Sequence, residues 1–242
     1  MSDKKITLIA QLLAKAEATT PEEAEALTEH AERLMIKYGI DQAVINERRA
    51  TTGNVSEKIV TVLVKFTGSY RLEHTHIGHM AANGLGNIKC LMSTFKNASS
   101  TLYLIGFESD VAQAQILIAS LQVQSAVATR VWWRLNKGMF SMASTYDQEA
   151  ARRSFVRGFG TGAGVRIRNN RKTLVEEAGT GTELVLVSRE AKVQSYFDNI
   201  ATSRNKRRGG KSDSFAAGQG YAAGQNANTG EKVVNQRGRI NA

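Results

Sequence analysis

The sequence has one cysteine and one proline in 242 residues, and aromatic side chains make up 7%. A lone thiol, Cys90, has no partner for an internal disulfide, so nothing in the chain calls for an oxidising compartment. No unbroken apolar run approaches the roughly 18 residues that a membrane span needs. The first residues, Met1-Ser2-Asp3-Lys4-Lys5, lead into an amphipathic pattern and not into the apolar core of a signal peptide. The expected setting is therefore soluble and cytoplasmic, the host cytoplasm if the chain is phage-encoded, with no membrane partner. At 42% hydrophobic and 22% charged, the composition is that of a globular protein and excludes collagen-like and disulfide-rich classes.

Catalytic signatures are also scarce. There is no P-loop lysine motif, no Gly-x-Ser-x-Gly elbow and no pair of carboxylates at a telling spacing. Three of the four histidines cluster as His74-x-His76-x-x-His79 beside Glu73. On a helix His76 and His79 share a face and could ligate zinc together, with Cys90 or Glu73 as a further ligand. His74 points elsewhere, and the His-Glu-x-x-His arrangement that joins two ligands to a base is missing. Cys90 alternates with Ile88 and Met92 on a strand, the pattern of a small buried hydrophobe. A polar helix face is the simpler reading of the histidines. The balance is against an enzyme: no catalytic residue is assigned and no cofactor expected, with a metal-dependent hydrolase on His76 and His79, zinc being the candidate metal, as the alternative.

What the chain has in excess is positive charge, +10 in all, and it is unevenly placed. Residues 1–50 carry 7 basic and 9 acidic side chains, residues 51–150 carry 8 and 6, and residues 151–242 carry 17 and 7. A basic final third of this size points to an anionic partner.

Along the chain, Ile6, Ile9, Leu12, Leu13 and Ala16 follow helical spacing. Thr20-Pro21-Glu22-Glu23 reads as a cap, a first-turn proline and a capping box. The second helix then places Ala24, Leu27, Ala31, Leu34 and Met35 on one face and ends at Gly39, with Asp41 capping a short third helix over 42–49. A hairpin this small is expected to dock on something else.

The segments Ile9 to Glu17, Pro21 to Ala26 and Glu32 to Asp41 resemble the domain-of-unknown-function family 2786, a short N-terminal helical module of bacterial and phage proteins. More loosely, Gly106 to Asp110, Gly158 to Gly164 and Gly218 to Gly224 resemble the companion domain often found behind that module. The resemblance implies a cytoplasmic setting and supplies no catalytic residues.

After a linker at Thr51 to Asn54, the residues from Glu57 to Phe66 place Val60, Val62, Val64 and Phe66 on one face of a strand. A helix over about 70–84 and two strands, Asn87 to Thr94 and Ser100 to Gly106, complete a small sheet. Val111, Ala114, Ile118, Leu121, Ser125, Ala128, Trp132 and Leu135 then form a seam with steps of three and four, fit for a neighbouring helix or an oligomer. A second long helix over about 146–171 gathers Arg153, Arg157, Arg168 and Arg171 within roughly 60°. Glu183 to Val187 reads as a short strand and Ser188 to Ile200 as a helix. Arg204, Lys206, Arg207, Arg208 and Lys211 make a basic, glycine-bearing arm. Finally, Ser154-Phe155-x-x-Gly158-x-Gly160-x-x-Ala163-Gly164 recurs 60 residues later as Ser214-Phe215-x-x-Gly218-x-Gly220-x-x-Ala223-Gly224. Glycine in a helix costs about 1 kcal/mol against alanine, so two such stretches imply close helix packing, each against a partner or against each other.

The expected fold is α+β and helix-rich. An N-terminal helical hairpin (1–50) precedes a small three-stranded sheet packed by two long helices (54–200) and a basic, glycine-rich C-terminal region (201–242) whose Gly/Ala helix packs back on the sheet-bearing domain. The expected function is non-enzymatic, low-specificity nucleic-acid binding, duplex favoured. Its phosphate contacts would come from Arg153, Arg157, Arg168 and Arg171 on a helix and Arg204, Lys206, Arg207, Arg208 and Lys211 on the arm. The aromatics of the basic region, such as Phe155, Phe159 and Tyr221, are too sparse for a base-stacking single-strand binder. The alternative is an assembly protein that oligomerises through the 111–135 seam or recruits a partner through the N-terminal hairpin.

Overall fold

A computed structural model of the protein describes residues 12, 27, 30, 34, 36–47, 57–94, 99–200 and 210–227. Residues 36–47 form helix α1. Strand β1 (Ile59–Phe66) is followed by α2 (Arg71–Leu85), β2 (Lys89–Thr94), β3 (Ser100–Phe107) and α3 (Glu108–Asn136). A 3-10 turn (Lys137–Phe140) then leads to α4 (Thr145–Ala178), α5 (Thr180–Asp198) and α6 (Ser214–Asn226). The fold is α+β and helix-rich.

The sheet is antiparallel in the order β1-β3-β2, with Val62 and Cys90 both opposite Leu104. Its inner face carries Val60, Val62, Val64 and Phe66 from β1 and the fully buried Leu102 and Leu104 from β3. These meet Ile77, Ala81 and Leu85 of α2 and Val111, Ala114, Ile118 and Leu121 of α3. The α3 seam is therefore turned into the protein's own core as far as Trp132. Only Leu135 departs from it, at 74% exposed.

Two local expectations are corrected. Gly39 does not stop a helix: α1 runs through it from residue 36 to 47, and Asp41 lies within the same helix. A Cβ at Gly39 would meet only the amide end of the flexible Gln113 side chain of α3, which can swing aside. Ile36, Ile40 and Ala43 bury against the same core, so this part of the N-terminal segment docks on the rest. Second, Glu183 to Val187 is helical, not extended. Gly179, at φ 86°, closes α4 and turns the chain straight into α5. Leu186, Arg189 and Val193 then form the buried stripe of that helix, spaced at three and four. A short run of leucine and valine fits either period, and here the longer helical stripe decides. The 51–54 linker, most of the hairpin before residue 36 and arm residues 201–209 lie outside the described residues.

Helix α4 is the centre of the helical layer, packed between α2 and α6. Glycines two apart on a helix point about 200° apart, so the run Gly158-Phe159-Gly160-Thr161-Gly162-Ala163-Gly164 makes two smooth faces. A Cβ on Gly158 or Gly162 would strike the backbone carbonyls of Ala217 or Tyr221 in α6. On the other side, a Cβ on Gly160 would lie 2.9 Å from Ile77, and one on Gly164 2.7 Å from the Met80 carbonyl oxygen. The partners answer in kind. Gly220 and Gly224 of α6 face the Phe155 and Phe159 carbonyls, and Gly84 of α2 faces the Gly164 carbonyl. The two halves of the internal echo thus pack on each other. Trp132 of α3 stacks on Phe155 at 4.7 Å between ring centroids and joins α3 to this pair.

Gly218 lies in the same helix as Gly220, yet nothing surrounds its missing Cβ within 4 Å. Gly220→Ala should lower stability by about 3 kcal/mol, because a methyl group would displace the α4 backbone. Gly218→Ala should raise it by about 0.5–1 kcal/mol, as expected of alanine in an exposed helix. Urea denaturation of the two variants checks the ordering.

Candidate functional site

With α2 and α6 covering two sides of α4, one solvent-facing ridge remains. Arg157 and Arg168 emerge on it, joined by Lys172. Arg153, at the N-terminal end, is half-buried and paired with Glu149 at 2.7 Å. Arg157 stands 3.6 Å from Glu73 of α2, with its own side chain 54% exposed and the carboxylate 4%. Lys172 lies 3.8 Å from Glu176. The Arg153 and Lys172 pairs are open to solvent on both sides, where an ion pair is worth about 0–1 kcal/mol, so an incoming anion can compete for these cations; Arg157 compensates a buried carboxylate while its own guanidinium stays exposed.

Arg171 does not join the ridge. Its guanidinium donates to Asn87 Oδ1 at 2.9 Å and covers Gly86, whose φ of 86° ends α2. Burial lowers its pKa, against the raising influence of Asp110 and Glu190. Angular position alone groups it with the others, because the turn it plugs is formed by residues more than 80 positions away.

Of the arm, Lys211 is described. Its ammonium group meets Asp147 Oδ1 at 2.5 Å in the first turn of α4. Two residues on, the Asp213 backbone N–H donates to Ser154 Oγ at 2.9 Å. Asp213 also caps α6, its carboxylate accepting from the Ala216 N–H. The described end of the arm is thus fixed beside the Arg153 end of the ridge. Arg204, Lys206, Arg207 and Arg208 lie outside the described residues.

The histidines sit on α2 along the flank of α4. His76 Nε2 is 3.1 Å from Thr161 Oγ1, and His79 Nε2 is 3.4 Å from the Asn83 amide. Among the described residues, no group of three or more His, Cys, Asp or Glu is arranged to hold a metal ion. Burial raises the Cys90 thiol to about 12, which keeps it protonated and a poor nucleophile.

Among the described residues, the most buried charged side chain is one that sequence reasoning misses. Arg189 of α5 is 1% exposed and bonds Glu57 at 3.0 Å and Asp110 at 2.9 Å, with its guanidinium 3.9 Å over the Phe107 ring. Glu57 also accepts from the Ser109 N–H at 2.6 Å and from the Asn46 amide at 2.7 Å. Burial pushes Glu57 up, but these hydrogen bonds and the Arg189 charge bring its pKa below the ordinary value. For Asp110, burial outweighs Arg189 and the pKa is raised. The cluster pins α1, the residues just before β1, the β3–α3 junction and α5 to one another. Both terminal nitrogens of Arg189 are paired with these carboxylates, while its buried Nε has no hydrogen-bond partner.

Burial first, then the His79 and Arg157 charges, push the His76 pKa down to about 4 from 6.5. The unfolded chain takes up this proton near pH 6.5 and the folded protein only near 4, so acidification through that window favours unfolding. His74 and His79 are lowered by burial in the same direction. The protein should lose stability between pH 7 and pH 5 in chemical denaturation, and His76→Gln should lose less over the same interval.

No curated protein and no solved structure matches the chain. Residues 5–42 match the family model DUF2786, a protein of unknown function, in agreement with the resemblance read from Ile6 to Asp41; the match ends before β1.

Proposed function

We propose that the protein binds nucleic acid through backbone phosphates, without catalysis and with little sequence preference. The α4 ridge (Arg153, Arg157, Arg168 and Lys172) forms a rigid track. The arm (Arg204, Lys206, Arg207, Arg208 and Lys211) supplies further cations for the same backbone.

The observation that carries this reading is the junction of arm and ridge. Lys211 and Asp213 tether the end of the arm to Asp147 and Ser154, beside Arg153. The two most basic stretches of the chain therefore share one end. From Arg153 to Lys172 the helix rises about 28 Å, the length of roughly eight base pairs of duplex. Cations on a helix ridge meet phosphates and do not reach base edges, so affinity comes from counterion release and carries little sequence information. Few aromatic side chains accompany these cations, which favours a duplex over a stacked single strand.

Fluorescence anisotropy with a duplex of about 30 base pairs, its single strand and the matching RNA, each over a salt series, tests the reading. Binding should weaken steeply with salt and be tightest for a duplex. The combined Arg157→Gln, Arg168→Gln and Lys172→Gln variant should flatten the logarithmic salt slope by about 2–3. Neutralising the five arm cations should flatten it further. No binding by the intact protein at low salt would overturn the proposal.

A further inference from the structure

Helix α3 is apolar on both sides, and among the described residues only one side is used by the fold. Its inner face is core from Val111 to Trp132. On the outer face, Ile116, Ser120, Val123, Val127 and Val131 fall within about 80° of one another at 100° per residue. Val123 is 66% exposed and Val127 56%. Past the helix end Met139 and Met142 are exposed as well, at 68% and 98%. Between Val111 and Thr129 the helix has no charged residue at all. By length and composition, the stretch Glu108–Phe140 would even suffice to cross a membrane. A contiguous exposed apolar stripe of this kind marks an interaction surface.

The charges that bound the stripe indicate what covers it. Glu108 is exposed at the N-terminal end, and Arg130, Arg134 and Lys137 are exposed at the C-terminal end. Lys137 keeps helical backbone angles, so the phase of the helix continues to it. Glu108, Ala112, Ala119, Ala126, Arg130 and Lys137 fall on one flank of the stripe, within about 40°. The three alanines are exposed and small enough to let a second backbone come close. We propose that a second copy of this chain covers the outer face of α3 in an antiparallel, two-fold pair. Under a two-fold axis, residue i of one copy meets residue j of the other and the reverse, so like flanks face each other. With Glu108 set against Lys137 of the second copy, the axis passes beside Val123. Ile116 of each copy then lies between Val127 and Val131 of the other. A parallel pair would instead stack Arg130, Arg134 and Lys137 against their own copies. A lipid surface would set the hydrogen-bonded side chains of Ser120 and Gln124 against hydrocarbon, where a second helix supplies polar partners. The surface lies opposite the α3 face whose Trp132 stacks on α4, so pairing leaves the α4 ridge open and is independent of nucleic-acid binding.

Sedimentation equilibrium of the full chain is the test. The protein should be a reversible dimer with a dissociation constant of about 10 μM. Val123→Glu should weaken it by about 100-fold, by burying two carboxylates at the axis. Because Val123 makes little contact within one copy, the variant should keep the circular dichroism and melting temperature of the monomeric fold. Glu108→Lys and Lys137→Glu should each weaken pairing about fivefold, and the double variant should restore it. In a Cys90→Ser background, Val123→Cys should form a disulfide dimer and Lys137→Cys should not. A monomer at every concentration up to about 0.2 mM, binding to anionic vesicles in place of self-association, or a Lys137→Cys disulfide dimer would overturn the proposal.

Discussion

Helix α4 lies against two other helices at distances that only glycine permits. Ridges-into-grooves packing normally separates helix axes by about 8–10 Å, with side chains filling the gap. Here backbone meets backbone on both sides, through Gly158 and Gly162 toward α6 and through Gly160 and Gly164 toward α2. Four glycines in seven residues weaken a helix taken alone by about 1 kcal/mol each. The loss is offset by dispersion contacts along two close interfaces. Because α2 also covers the sheet through Ile77 and Ala81, the position of α4 sets how the helical layer meets the strands. The same arrangement leaves Arg157, Arg168 and Lys172 on the exposed side of the helix, which is how a packing device comes to carry a charged surface.

The Arg189 cluster plays a complementary part at the other side of the sheet. A buried arginine with two carboxylates is a weak source of net stability, but removing one partner leaves charge without compensation, at roughly 3–5 kcal/mol. Its geometry is specific: Glu57 comes from the residues just before β1 and Asp110 from the start of α3, and Asn46 adds the docked N-terminal segment. The glycine interfaces fix distance and the ion cluster fixes register between elements that are far apart in sequence.

Much of this is legible from periodicity. The three strands, the two long helices and the inner face of β1 follow from alternation and from steps of three and four. The 60-residue echo announces close helix packing before any partner is known. The failures share a cause. Gly39 looks like a helix end and Glu183 to Val187 like a strand when each is judged on local pattern, whereas the buried stripes Ile36-Ile40-Ala43 and Leu186-Arg189-Val193 decide them through contacts across the fold. Arg171 groups with Arg168 by angle, but the turn at Gly86 claims it. Arg189, between Ser188 and Glu190, carries no local sign of burial; only its two distant carboxylates reveal it. Lys172 is within reach of the same reasoning, being one turn beyond Arg168. The second glycine face of α4 is also readable, from the two-residue spacing of Gly158, Gly160, Gly162 and Gly164.

If the double glycine packing of α4 holds the molecule together, its central amides should open only when the whole protein unfolds. Native-state amide hydrogen exchange measures this directly. The amides of residues 156–166 should exchange with the same free energy and denaturant dependence as those of Leu102 and Leu104 in β3. Exchange of the α4 amides through a lower-energy opening, while β3 stays protected, would contradict the account.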